Sequence, residues 1–486
     1  MSAATIFVDG AAYSIEGPEG KNLLEACLSL GLDLPYFCWH PAMHSAGACR
    51  QCAVKVFKDE SDTRGRLAMA CMTPVADGLR ASIEDPDARA FRAGVIEWLM
   101  VNHPHDCPVC DEGGECHLQD MTVMTGHVRR RYRFAKREYR SQGLGPFIAH
   151  EMNRCIQCYR CVRFYRDYAG GKDLDVQGWH DSVFFGAFEE GTLESPFSGN
   201  LCEVCPTGVF TDKTQGSHPT RKWDLHTSPS VCPHCGLGCS TLPGERYGEL
   251  RRVRPRYNAE VNGYFLCDRG RFGQAFADSG ERLSACLLRG PSGLAPASRE
   301  AALTAARAAL SGARAVGVGS PRASIETNFA LRGLVGPENF FMAVPDEEYA
   351  LYALMRKVLS AAGSAAASPR EAQEADAVLV LGEDVWNSAP ILALRLRQAS
   401  RNAPNEAASA AMRIPPWDDA ALRAATQGKR GPFFLASPGP TPLDESAEAS
   451  YRAAPDDIAA LGRAVAALVD PSAPMQAPEG LGDEPA

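Results

Sequence analysis

Four groups of closely spaced cysteines are the residues of this chain best equipped for chemistry. Eighteen cysteines occur in 486 residues, seventeen of them between Cys27 and Cys267 and the last at Cys286. The first group is Cys38, Cys49, Cys52 and Cys71, spaced C-x10-C-x2-C-x18-C. The second is Cys107, Cys110 and Cys116, with His103 four residues upstream. The third is Cys155, Cys158 and Cys161 (CIQCYRC) with Cys205 in CPTG, and the fourth is Cys232, Cys235 and Cys239 (CPHCGLGC) with Cys267 in CDRG. Each group offers four ligands, and Cys27, Cys202 and Cys286 are left over. Disulfide scaffolds are normally short and secreted. This chain is long, and Met1-Ser2-Ala3-Ala4-Thr5 carries neither a basic nor an apolar leader, so no signal peptide is read. Closely spaced reduced thiols point to metal.

Zinc is the first alternative. Zinc sites usually pair two separate C-x2-C clips. CIQCYRC instead sets three thiolates at C-x2-C-x2-C, with a distant cysteine followed by Pro206. That spacing wraps a cubane iron–sulfur cluster. The fourth group follows the same logic. The first departs from the plant-ferredoxin spacing C-x4-C-x2-C, and the second needs a histidine as its fourth ligand.

The elements that must position these groups read as follows. TIFVDGAAYSI alternates apolar residues around Asp9-Gly10, a hairpin signal. A helix is predicted over 22–30, and Cys27 on its apolar face reads as a core thiol. Another helix is predicted over 90–101. VRRRYRFAKREYR, with Arg129, Arg130, Arg131, Arg133, Lys136, Arg137 and Arg140, reads as a solvated or interface strand whose cations offset the charge of anionic thiolate sites.

From about residue 290 alanine dominates and strand and helix patterns alternate. Strands are expected at 315–319, 376–381 and 433–435, and helices at 325–334, 391–400 and 458–468. Such alternation implies a parallel sheet flanked by helices. VGVGSP lacks a full nucleotide-binding fingerprint. Residues 470–486, Pro-rich and acidic, read as disordered.

A net charge of -9 argues against nucleic-acid binding. No apolar run reaches the ~18–20 residues of a membrane span. Nothing resembles a nucleophile motif or a paired-carboxylate centre.

With the four groups in this order, the chain resembles the G-subunit family of bacterial NADH-quinone oxidoreductase, respiratory complex I. The resemblance rests on NHPHDCPVCDEGGECHLQD (102–120), GPFIAHEMNRCIQCYRCVRFYRDYAGG (145–171), SGNLCEVCPTGVFTDKT (198–214), RKWDL (221–225), PGERYGELRRV (243–253) and YFLCDRGRFG (264–273). GSPRASIETNFALRGLVG (319–336) and DAVLVLGEDV (376–385) extend it into the alanine-rich half. It implies that Cys38, Cys49, Cys52 and Cys71 hold a [2Fe–2S] cluster. His103, Cys107, Cys110 and Cys116 would hold a [4Fe–4S] cluster with one histidine ligand. Cys155, Cys158, Cys161 and Cys205 would hold a second [4Fe–4S] cluster, and Cys232, Cys235, Cys239 and Cys267 a third. His105 adjoins His103, and Cys202 makes C-x2-C with Cys205. The resemblance keeps His103 for its H-x3-C spacing and Cys205 for the Pro206 that follows.

The fold implied is multidomain α+β. A β-grasp [2Fe–2S] ferredoxin spans 1–82, [4Fe–4S] modules span 83–145, 146–222 and 223–286, and a truncated, degenerate molybdopterin-oxidoreductase-like α/β domain spans 287–470, before an acidic tail at 471–486. The function implied is electron relay from a NADH/FMN-binding flavoprotein subunit toward quinone, with other peripheral-arm subunits as partners. The expected location is the cytoplasmic side of the inner membrane, with membrane contact only through the complex. No molybdopterin is expected. A molybdenum or tungsten enzyme such as a formate dehydrogenase shares the layout, but such enzymes need a Cys or selenocysteine ligand well beyond the fourth group, and no Cys follows Cys286. The relay subunit of a soluble NAD-reducing hydrogenase would share only the first three groups.

Overall fold

A computed structural model describes residues 3–218, 220–361 and 366–470; the acidic tail lies outside them. The hairpin is formed by β1 (Ala3–Val8) and β2 (Ala11–Glu16), with Val8 opposite Ala11. Asp9 and Gly10 both take positive φ, 51° and 84°, as a two-residue turn matched to strand twist requires. The helix α1 (Leu23–Ser29) starts at Asn22, whose side chain accepts from Glu25 N–H while Glu25 reaches back to Asn22 N–H. Strands β3 (Ala53–Phe57), β4 (Arg66–Met69) and β5 (Arg80–Ser82) complete a mixed sheet in the order β2-β1-β5-β3-β4. Ile6, Val8, Leu23, Leu24, Cys27 and Val54 form its core.

The helix α2 (Pro86–Asn102) is docked on that sheet by buried Arg92, which donates to the carbonyls of Ala53 and Ile83. The helix α3 (His117–Met124) follows the second cysteine group. Two short antiparallel pairs, Ile148–His150 with Phe210–Asp212 and Leu174–Gln177 with Phe184–Ala187, enclose a core of Phe164, Tyr165, Phe185, Phe197 and Phe210. The fourth group sits on an antiparallel sheet built around Ser240–Arg246 and Glu249–Pro255.

The basic run is not a strand. Residues 129–140 carry no regular secondary structure, because their hydrogen bonds go to the end of α2 instead of to a strand. Arg130 donates to Val101 O, Lys136 to His103 O, and Arg137 N–H to Asn102 Oδ1.

The alanine-rich half is not built on one sheet. The chain divides into two compact units, one of 1–273 with 369–486 and the other of 274–368. In the first, Val378–Leu381, Phe433–Ser437 and Ala449–Arg452 form a three-stranded parallel sheet beside the 23-residue helix Pro390–Met412. In the second, Gly317–Val318 pairs in parallel with Phe340–Phe341 against the helix Ile325–Val335, and the helix Arg299–Leu310 precedes them in the chain. The expected helices are present but longer: 325–334 becomes Ile325–Val335, and 458–468 becomes Pro455–Val469. Among the described residues no helix is long and apolar enough to cross a membrane.

Candidate metal centres

All 18 cysteines are free thiols. In the first group, strand register does the positioning. Ala53 lies opposite Met69 in the β3–β4 pair, so Cys52 and Cys71, just outside it, meet at its end. Cys49 Sγ accepts from Cys38 N–H at 3.4 Å, and Cys52 Sγ from Cys71 N–H at 3.5 Å. The Cys38 thiol is pulled down by hydrogen bonds from Cys49 and Cys71, and Cys71 is pushed up by its contacts with Cys38 and Cys52. Cys52 is lowered and Cys49 raised through the same set of contacts, so the four sulfurs stand within hydrogen-bonding reach of one another. Arg50 holds φ at 61° inside the C-x2-C turn, a left-handed conformation that costs a non-glycine residue energy.

In the third group, Gln157 and Tyr159 are also left-handed, with φ of 53° and 64°. They wrap Cys155, Cys158 and Cys161 into a tight loop, in which Cys155 Sγ accepts from Gln157 N–H at 3.3 Å. Cys205 arrives at the end of the short helix Leu201–Val204. These four cysteines line one apolar cavity with Phe185, Pro206 and Phe210. Cys202 does not line it; it borders a charged cavity with Glu112, Asp212 and Arg271, which Cys205 also borders. Burial pushes Cys158 up to about 12, with the Cys205 charge adding to it. Such thiols give up their protons readily only to a bound cation.

In the second group, His103 is 9% exposed. Its Nδ1 lies 2.8 Å from Pro104 O. A carbonyl can only accept, so Nδ1 carries the proton and Nε2 the lone pair. Nε2 is buried without a partner, and burial holds the ring down to about 4, neutral at physiological pH. A neutral imidazole with an orphaned Nε2 and an anchored Nδ1–H has the donor chemistry of a metal ligand. His105, by contrast, is exposed. The loop that bears Cys107 and Cys110 is held by Arg154 on Asp106 at 2.7 Å and by Arg221, which donates to Cys110 O at 2.8 Å. Cys116, at the start of α3, is pushed up to about 12 by burial.

In the fourth group, Cys232 N–H donates to Cys239 O at 2.9 Å, closing the CPHCGLGC loop. Cys267 caps the helix Asp268–Phe272, its Sγ accepting from Gly270 N–H at 3.4 Å. A Cβ at Gly270 would lie 3.4 Å from Cys232 Sγ and 3.6 Å from Cys267 Sγ, so both sulfurs converge there. Burial pushes Cys267 up to about 11.

Among the described residues, no three His, Cys, Asp or Glu side chains are drawn to the spacing of a site for one metal ion. A single ion draws all its sulfurs to about 2.3 Å from one point, whereas the ligands of a cluster bind different metal atoms and so stand farther apart.

The first three groups adjoin. Phe37, Cys38, Cys116, Ile156 and Cys158 belong to one apolar core. Cys116 Sγ lies 3.8 Å from Pro206 O, and a Cβ on Gly208 would come within 2.5 Å of Cys110 Sγ. Sequence reading missed Gly208 and Arg163, because neither carries a spacing signal; their roles depend on neighbours distant in the chain.

Comparison with known proteins finds matches over the same segments. Family models match along the chain: a 2Fe-2S iron-sulfur cluster binding domain at 2–86, the NADH-ubiquinone oxidoreductase-G iron-sulfur binding region at 92–131, the NADH-quinone oxidoreductase subunit 3 ferredoxin-like domain at 145–211, and the molybdopterin oxidoreductase Fe4S4 domain at 225–279. The NADH-quinone oxidoreductase G subunit of Pseudomonas fluorescens is 56% identical over 483 residues, 99% of this chain and 52% of that protein. This chain is a homologue of that G subunit. The G subunit of Escherichia coli K12 is 55% identical over 472 residues, 97% of this chain and again 52% of the relative. The chain thus spans about half the length of the G-subunit relatives it matches. A solved NAD+-reducing [NiFe]-hydrogenase in the H2-reduced state is 26% identical with a TM-score of 0.39, covering 44% of this chain and 88% of that one.

Proposed function

We propose that the chain is the electron-relay part of a NADH-quinone oxidoreductase, placed between a NADH- and FMN-binding flavoprotein subunit and the quinone-reducing end of the complex. In this reading Cys38, Cys49, Cys52 and Cys71 hold [2Fe–2S], and three [4Fe–4S] clusters are held by His103 with Cys107, Cys110 and Cys116; by Cys155, Cys158, Cys161 and Cys205; and by Cys232, Cys235, Cys239 and Cys267. Bound there, iron–sulfur clusters supply one-electron chemistry. The segments 1–82, a β-grasp ferredoxin, and 83–145, 146–222 and 223–286 each build one site. Residues 287–470 form a degenerate molybdopterin-oxidoreductase-like α/β domain, carrying no substrate site of its own. The chain works peripherally on the cytoplasmic side of the inner membrane, with other peripheral-arm subunits as partners, no nucleic acid, and membrane contact only through the complex.

The observation that carries this reading is the shared core of Phe37, Cys38, Cys116, Ile156 and Cys158, which puts one cysteine from each of the first three groups into a single apolar cluster. The chain's own residues exclude water there, and backbone N–H groups of Cys38, Cys71 and Gln157 donate to ligand sulfurs. Such bonds favour the extra negative charge of a reduced site. The test is iron, acid-labile sulfide, molybdenum and tungsten content of the anaerobically purified chain. About 14 iron and as much sulfide per chain are expected from these cluster types. Stoichiometric molybdenum or tungsten would overturn the relay reading.

A further inference from the structure

A cavity of about 190 Å³ lies between the segment that follows Cys161 and the helices Pro390–Met412 and Asp419–Thr426. That is room for several waters or for one tetrahedral oxyanion. Its charged lining is cationic in a chain that is acidic overall: Arg166, Arg397, Arg401, Arg423, Lys429 and Arg430 against Asp167.

Three of these cations are neutralised. Arg166 pairs with Asp167 and Asp175 at 2.8 Å. Arg423 pairs with Asp167 at 2.8 Å and Asp419 at 2.9 Å, and Arg401 with Asp419 at 2.9 Å. Three arginines thereby meet three carboxylates.

Arg397, Lys429 and Arg430 are left in excess. Arg397 is 8% exposed, and its guanidinium donates to two neutral oxygens, Tyr168 O at 3.2 Å and Ser446 Oγ at 3.0 Å. No carboxylate stands within ion-pair distance of it among the described residues. Arg430 makes no hydrogen bond there, and its Nε is buried without a partner. Glu445 acts on both from farther away, but it is ion-paired with Lys172. Burial, then the charges of Arg430 and Arg401, pushes Arg397 down to about 10, so the ring of cations strains against itself while remaining charged at neutral pH. A buried guanidinium lacking an anion is costly, and a bidentate oxyanion is its best complement.

We propose that this cavity is an anion-binding site for a phosphate-class oxyanion, free or as the terminal group of a phosphate ester, held by Arg397 and Arg430 with Lys429 at its mouth. The site is separate from the four cysteine groups and from the electron relay, and it stands whether or not that reading holds.

The test is calorimetric titration of the full cluster-loaded chain with inorganic phosphate, against chloride at matched ionic strength, followed by ADP. Saturable phosphate binding is expected, weakened about tenfold or more in Arg430→Gln. Because Arg397→Gln empties a buried position and risks misfolding, Lys429→Gln at the exposed mouth is the second variant, with a loss of about threefold. ADP binding more tightly than phosphate would assign the site to a phosphate ester; ADP binding equally or less tightly would assign it to the free oxyanion. Phosphate acting no differently from chloride, or binding the wild type and Arg430→Gln alike, would overturn the proposal.

Discussion

The guanidinium of Arg163, two residues beyond Cys161, donates from Nη1 to the carbonyl oxygen of Cys38 at 2.8 Å. Its Nη2 also reaches the carbonyls of Met43 and His44, the latter at 3.1 Å. One buried side chain thus ties the loop of the first cysteine group to the backbone of the third. Arg163→Gln should destabilise the chain by about 2–4 kcal/mol, since it strands several buried carbonyls. It should also broaden or shift the electron paramagnetic resonance signal of the first site, while Arg166→Gln at the exposed neighbour leaves that signal alone.

His103→Cys tests whether the imidazole tunes its site or only fills a position. Thiolate adds a negative charge where neutral Nε2 stood, which disfavours a further electron. The midpoint of the second site should fall by on the order of 100 mV or more, in the direction set by histidine-ligated Rieske centres. A redox titration followed by paramagnetic resonance reads it, and an unchanged midpoint would defeat the idea.

Cys205 and Cys202 are separated by one short turn and both border the charged cavity, yet only Cys205 also lines the apolar cavity of Cys155, Cys158 and Cys161. Cys205→Ser should cost about four iron per chain and the signal of the third site. Cys202→Ser should keep the full iron content. Equal losses in both variants would mean that the two thiols can exchange roles.

Gly208 makes room for a ligand sulfur, since a methyl group there would sit 2.5 Å from Cys110 Sγ. Gly208→Ala should therefore lower occupancy of the second site more than of any other. Iron analysis together with the paramagnetic spectrum separates this from general unfolding, which would empty all four.

Asp419 supplies a pH dependence away from the cysteines. Burial pushes its carboxyl up, but Arg401 and Arg423 more than offset this and hold it below the usual range. A carboxyl lowered on folding stabilises the chain fully above its unfolded value of about 3.9, and that contribution is lost as pH falls through the folded value. Asp419→Asn should cost about 1–2 kcal/mol at pH 7, and the difference from wild type should persist down to about pH 4 and shrink only as denaturant unfolding is repeated below that.

The sequence by itself determined the ligands that neighbour one another in the chain. Two intervening residues let the sulfurs of a C-x2-C pair converge on one centre, and Cys155, Cys158 and Cys161, spaced that way twice over, were legible on that ground. The Asp9-Gly10 turn was legible for a similarly local reason. Tertiary structure decided what connectivity leaves open. Only packing sets Cys205 rather than Cys202 beside CIQCYRC, leaves His103 Nε2 unpartnered while His105 faces solvent, and aims Arg163 at Cys38. It also divided the alanine-rich half into two units, with Ala449–Arg452 as an unforeseen edge strand. That strand carries only one strong strand former, Tyr451, so its pairing with Phe433–Ser437 rests on neighbours and not on its own propensity. The basic run 129–140 shows the same limit: its composition fixed its charge, but the open carbonyls at the end of α2 fixed its conformation.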